Sequence, residues 1–202
     1  MDLQAGGAIV RLDEVESIMH YMAVTLALAL VALLPSGATE AATAEEAQLQ
    51  QFRFNSIDGG QIGFGDWAGH PVLIANTASL CGYTPQYADL QALYDGYRDQ
   101  GLVVVAVPSD DFRQELSSDA EVKDFCDLNY DLDLPMTGIT PVRGEGAHPF
   151  FAWLRDTQGF EPQWNFNKVL IGADGQVLGS WGSGEAPTGP AITQAVEAAL
   201  RS

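Results

Sequence analysis

The residues best suited to covalent chemistry in this chain are its two cysteines, Cys81 and Cys126. Cys81 follows the compact apolar run Val72-Leu73-Ile74-Ala75 and precedes Gly82-Tyr83-Thr84-Pro85. Threonine is a good helix N-cap, and proline is favoured at the first helical position. The spacing therefore sets Cys81 in a loop that opens a helix, where free N–H groups and the helix dipole favour an anion. A thiolate is that anion, so the thiol would ionise more readily and attack electrophiles faster. The competing reading of Cys81 is a small buried hydrophobe. Cys126 shares an apolar helical face with Val122 and Phe125, which suits a core position as well as a reactive one. Two cysteines and three scattered histidines do not make a Cys-rich zinc site, and no metal or cofactor is expected.

The elements that would hold these residues follow from periodicity. Phe52-Arg53-Phe54 and Gln61-Ile62-Gly63-Phe64 flank the turn signal Asp58-Gly59-Gly60, which predicts an N-terminal hairpin. Val72–Ala75 and Leu102–Val107 read as buried strands. Between them Tyr87, Leu90, Leu93, Tyr94 and Tyr97 form the stripe of an amphipathic helix that Gly101 ends. Val122, Phe125 and Cys126 mark a second helix, and His148-Pro149 to Arg155 a third. Val169–Ile171 and Val177–Trp181 flank the turn Asp174-Gly175, and Thr188–Leu200 reads as a closing helix. A βαβ crossover gives parallel strands and a tight turn gives antiparallel ones, so the expectation is an α/β fold, a mixed central sheet with helices on both faces.

The chain has 202 residues, 47% of them hydrophobic, enough for one ordinary domain with a sizeable core. Its 27 acidic and 9 basic residues give a net charge of −18, which argues against nucleic acid and anionic membranes as partners. Residues 1–44 hold five of those acids and one of the bases, so residues 45–202 still carry −14. That acidity reads as a solvated, repulsive surface. Ala23 to Leu34 is a run of twelve residues without a charge. It falls short of the ~20 a membrane span needs and fits the apolar region of a secretory signal. Residues 1–18 carry Asp2, Asp13, Glu14 and Glu16 against Arg11, the wrong charge for the start of such a signal. The expectation is an over-extended start, a signal-like segment over 19–44, export to the periplasm, and one domain over 45–202. An uncleaved anchor over 23–34 is the alternative.

The stretch Asn76-Thr77-Ala78-Ser79-Leu80-Cys81-Gly82-Tyr83-Thr84-Pro85-Gln86-Tyr87 resembles the active-site segment of the glutathione peroxidase family. Trp164-Asn165-Phe166-Asn167-Lys168, Ala147-His148-Pro149-Phe150 and Val107 to Glu115 resemble further segments of it, so the likeness runs from about Phe52 to Leu200. The resemblance implies a thioredoxin-like fold, with Cys81-x-x-Thr84 where thioredoxins carry Cys-x-x-Cys. It also implies thiol-dependent reduction of hydrogen peroxide or organic hydroperoxides, with Cys81 as the peroxidatic residue. Trp164 and Asn165 match family residues that hydrogen-bond the reactive sulfur, and both side chains are N–H donors. Asp111 falls where many relatives carry a glutamine. An ionised carboxylate there cannot donate, so the side chain is protonated, turned away or takes up the thiol proton, unless it is simply a solvated loop residue. Arg113 stands where the family has glycine.

Some relatives carry a resolving cysteine close to Cys126. The partners the resemblance implies are a hydroperoxide and a thiol reductant, glutathione or a thioredoxin-like protein, acting on a monomer in antioxidant defence. His148 reads as scaffolding and His70-Pro71 as a turn into the strand. A non-peroxidatic thioredoxin-like redox-sensing or binding module is the second reading. Thr84 in place of a nearby second cysteine weakens a third, a thiol–disulfide oxidoreductase.

Overall fold

The computed structural model describes residues 46–201, and the readings made for the N-terminal segment lie outside them. Strands β1 (Arg53–Asn55) and β2 (Gln61–Gly63) form an antiparallel hairpin, closed by Gly59 and Gly60 with φ of 91° and 72°. Only a residue without Cβ takes such angles at no steric cost. The hairpin is a separate two-stranded sheet. The main sheet has four strands in the order β4-β3-β5-β6: β3 (Val72–Thr77), β4 (Val103–Pro108), β5 (Lys168–Ile171) and β6 (Val177–Trp181). β3 runs parallel to β4 and antiparallel to β5, and β5 antiparallel to β6, so the sheet is mixed as expected.

All six residues of β3 are buried, which is why its first four, Val72–Ala75, read as a continuous apolar run rather than an alternation. The period of two still divides its side chains between two cores. Leu73 and Ala75 pack with Val104, Ala106 and Leu170. On that side lie α1 (Gln86–Tyr97) through Tyr87, Leu90 and Leu93, α2 (Asp119–Tyr130) through Val122 and Cys126, and α4 (Pro190–Ala199) through Ile192 and Val196. Val72 and Ile74 pack on the other side with α3 (Pro149–Gln158), the hairpin residue Phe54, and Phe64. Among the described residues no helix is long and apolar enough to cross a membrane.

His148 staples the hairpin to α3. Its Nδ1 accepts the Phe150 N–H, its Nε2 lies 2.8 Å from the Arg53 carbonyl, and its ring stacks on Phe54 at 4.0 Å. An Nδ1 that accepts and an Nε2 that donates define a neutral ring. Burial holds its pKa below the ordinary value, against the pull of the Arg53 carbonyl. The unfolded chain then takes up a proton near pH ~6.5 that the folded chain still refuses. Stability from this residue is full above that pH and is lost as pH falls through it. In urea titrations the advantage of the native chain over His148→Asn is expected to be larger at pH 7.5 than at pH 5.5 (about one unit either side of the free imidazole value). An advantage independent of pH would show that the ring does not titrate there.

Candidate active site

β3 ends at Thr77, and the chain turns over the C-terminal edge of the sheet through Ala78–Pro85 before α1 begins. Thr84 organises this turn, not the helix. Its Oγ1 accepts the Cys81 N–H at 3.0 Å and lies 2.9 and 2.7 Å from the carbonyls of Ala78 and Cys81. The expected Thr84 N-cap is therefore corrected: α1 starts at Gln86, and the N-cap position is Pro85. A short hydroxyl finds nearby backbone partners first, the usual competition between local side-chain bonds and helix ends. The N–H groups of Gln86, Tyr87 and Ala88 bond back to the carbonyls of Tyr83, Thr84 and Pro85. The amide that reaches the thiol is that of Tyr83, which donates to Cys81 Sγ at 3.4 Å. Cys81 is 8% exposed, while Leu80 and Tyr83 beside it are 61% and 39% exposed.

The loop after β4 holds this turn from behind. Leu80 N–H donates to the Gln114 carbonyl, and Ser79 N–H to Glu115 Oε1 at 3.0 Å. Glu115 also accepts the Leu116 N–H, and its second oxygen is buried without a partner. Burial raises its pKa, against the lowering by the groups it accepts from.

The second wall is the tight turn Trp164–Asn167 that leads into β5. Phe166 there has φ 58°, a left-handed conformation that is costly for a bulky residue. Asn76, buried near the end of β3, holds the turn with both backbone and side chain. Its Nδ2 donates to the Trp164 carbonyl at 3.0 Å, and its Oδ1 accepts the Asn167 N–H at 3.1 Å. Its own N–H donates to the Asn167 carbonyl, and its carbonyl accepts the Phe166 N–H. Asn165 is fully buried; its Nδ2 donates to Gln114 Oε1 at 2.9 Å, and its Oδ1 has no partner. Trp164 is 41% exposed, with its ring 5.3 Å from that of Phe112. The Arg143 guanidinium lies 5.2 Å from the Phe112 ring centroid, so one cation joins this aromatic edge.

Asp111 lies on the same loop, and its Oδ2 accepts the N–H groups of Val142 and Arg143 at 2.6 and 3.1 Å. Those bonds tie two loops together. Arg113, with φ 58°, occupies a conformation that glycine takes more readily. Cys126 is 1% exposed in the core under α1 and α2. Burial pushes its thiol up to about 12, with Tyr87 lowering it and Glu115 and Asp127 adding to the rise. The Tyr87 hydroxyl is buried beside it without a hydrogen bond of ordinary geometry.

The Cys81 turn and the Trp164–Asn167 turn are linked through Gln114, whose carbonyl accepts the Leu80 N–H and whose Oε1 accepts Asn165 Nδ2; the sequence reading passes over Gln114, Glu115 and the clamp made by Asn76. None of these three carries a spacing signal, because their partners lie 51, 36 and 91 residues away. Among the described residues no group of three or more His, Cys, Asp or Glu is placed to hold a metal.

A family profile described as glutathione peroxidase matches residues 49–155. The chain is 38% identical over 144 residues to "Glutathione peroxidase homolog BsaA" of Halalkalibacterium halodurans, covering 69% of this chain and 92% of that one. It is also 38% identical over 143 residues to "Hydroperoxy fatty acid reductase gpx1" of Synechocystis sp., covering 65% and 85%. The crystal structure of Trypanosoma cruzi GPX1 superposes with a TM-score of 0.58 at 25% identity, over 76% of this chain and 96% of that one. A thiol:disulfide interchange protein DsbE from Chlorobium tepidum, at 21% identity and TM-score 0.56, shares the thioredoxin-like fold.

Asn76→Ala would leave the part-buried Trp164 carbonyl and the buried Asn167 N–H without their side-chain partner and cost about 3 kcal/mol in urea unfolding. A loss under about 1 kcal/mol would show that other contacts hold the turn.

Proposed function

This chain belongs to the glutathione peroxidase family, and we propose that its hydroperoxide chemistry runs through a sulfenic acid on Cys81. The chain is a thiol-dependent peroxidase, an oxidoreductase with a hydroperoxide as substrate and a thiol as reductant. The Cys81 thiolate attacks the terminal peroxide oxygen. An S–O bond forms, the O–O bond breaks, and the departing alkoxide or hydroxide takes a proton to leave as alcohol or water. One reductant thiol then displaces water from the sulfenic acid to give a mixed disulfide. A second releases the oxidised disulfide and restores the Cys81 thiol. Two thiols are oxidised for each peroxide reduced.

The observation that carries this reading is the Tyr83 N–H on Cys81 Sγ, in a turn the Gln114–Glu115 backbone and side chains hold rigid. A donor aimed at sulfur stabilises the negative charge shared between sulfur and peroxide in the transition state. Trp164 and Asn165 supply further N–H donors for that charge, on the resemblance that names them. Asp111, committed to two amides, serves as a loop staple. The exposed apolar rim of Leu80, Tyr83 and Trp164 supports organic hydroperoxides as substrates, as does the name of the Synechocystis relative.

Cys126 does not resolve the sulfenic acid in this scheme. A thiol raised to about 12 holds almost no thiolate at neutral pH, and a disulfide would require it to leave the core. The reducing thiols come from outside the chain. Export to the periplasm and a role in antioxidant defence belong to the same proposal; the uncharged run 23–34 supports the first. N-terminal sequencing of the mature protein that found residues upstream of Met19 would contradict the over-extended start.

Peroxide consumption is to be followed with glutathione and with thioredoxin supplied separately. Cys81→Ser is expected to lower the rate by at least ~100-fold, and Cys126→Ser to keep it within about twofold. Mass spectrometry after one equivalent of peroxide is expected to show a trappable sulfenic acid on Cys81. A Cys81–Cys126 disulfide instead would overturn the one-cysteine scheme.

A further inference from the structure

The segment after β6 carries a serine that no part of this chemistry uses. Ser183 makes three hydrogen bonds to residues around the site. Its hydroxyl donates to the Asn165 carbonyl at 2.6 Å, its Oγ accepts Asn167 Nδ2 at 2.9 Å, and its carbonyl accepts Gln86 Nε2 at 2.7 Å. Two residues on, the Glu185 carbonyl accepts from Lys168 Nζ. Lys168 is completely buried, and a buried ammonium needs such a partner. This loop is thereby tied to the first residue of α1 and to both ends of the Asn165–Lys168 stretch.

The decisive contact is the one on the Asn165 carbonyl. The peptide unit between Asn165 and Phe166 has two polar ends. Its N–H bonds to the Asn76 carbonyl, and its C=O takes the Ser183 hydroxyl. The residue that follows this peptide, Phe166, sits at φ 58°. Rotating the peptide would let Phe166 leave the left-handed region, so the strain pushes toward rotation. Asn76 restrains one end and Ser183 the other. The Asn165 side chain has one hydrogen bond of its own, to Gln114, and that bond does not fix the backbone that carries it.

We propose that Ser183 is a positioning residue, which locks the Asn165–Phe166 peptide and through it orients the Asn165 amide toward the peroxide oxygens as they take up charge. The proposal rests on the peroxidase reading above. It accounts for a serine whose hydroxyl both donates and accepts at the same turn, which Ala, Val or Pro could not reproduce.

The test compares Ser183→Ala and Ser183→Thr with the native chain in three measurements. These are hydrogen exchange at the Phe166 amide, the second-order rate of Cys81 with hydrogen peroxide, and its rate with iodoacetamide. Ser183→Ala is expected to speed Phe166 exchange and to slow the peroxide reaction about tenfold, because an acceptor-side donor is displaced rather than removed. Alkylation, which has no peroxide oxygen to stabilise, is expected to change by less than about twofold. Ser183→Thr keeps the hydroxyl and is expected to restore both exchange and peroxide rate, provided its thermal unfolding matches the native chain. Unchanged Phe166 exchange in Ser183→Ala would overturn the lock. Faster exchange with an unchanged peroxide rate would overturn the positioning role, as would an equal fall in both chemical rates. A native chain whose Cys81 ignored peroxide would overturn the peroxidase reading and this proposal together; it is told apart because the native protein itself then fails.

Discussion

Asn76 makes both halves of the site depend on one buried amide. It stands at the edge of the central strand, where β3 gives way to the Cys81 turn, and it spends backbone and side-chain bonds on the Trp164–Asn167 turn. Because Asn76 is buried, each of its polar groups must find a protein partner, since leaving one unpaired costs free energy comparable to the bond lost. The partners available are the polar groups of a turn that is itself strained at Phe166. Each therefore stabilises the other. Cys81 follows Asn76 by five residues, so the strand end that holds the Trp164–Asn167 turn also leads into the Cys81 turn.

Around that anchor the two cysteines experience opposite environments. Cys81 sits in a turn where an N–H points at its sulfur. Cys126 sits in the core, where burial and nearby carboxylates disfavour its charge. Desolvation penalises an ion most where no dipole replaces water, so the core position disfavours a Cys126 thiolate, while the Cys81 sulfur keeps an N–H partner. The acidity of the described residues adds little to this contrast, because all but one of their carboxylates lie at least partly exposed, where water and salt screen them. Glu115 is the exception: a buried carboxyl serving as scaffold for the Ser79 and Leu116 amides.

Much of the fold was legible because apolar spacing reports local geometry. β3 and α1 were each visible in a stretch of under fifteen residues, and Val177–Trp181 matched its strand from end to end. The mixed sheet followed from one crossover and one tight turn. The Thr84 cap was misread because the threonine hydroxyl had two possible sets of partners, and the closer set was in its own turn. Gln114, Glu115, Asn76 and Ser183 had no legible role, since a polar residue on a loop looks the same whether it faces water or a partner.

The sequence by itself determined the order of strands and helices, the family resemblance, and that Cys81 follows a buried strand at a sheet edge. These depend on residues close together in the chain, whose periodicity and turn chemistry act before any long-range contact forms. Only the tertiary structure decided which amide reaches the sulfur, which amides Asp111 accepts from, and that Cys126 belongs to the core. Those outcomes depend on which groups lose their water on folding and which distant partner replaces it. That choice is made when the Trp164–Asn167 turn closes against Asn76.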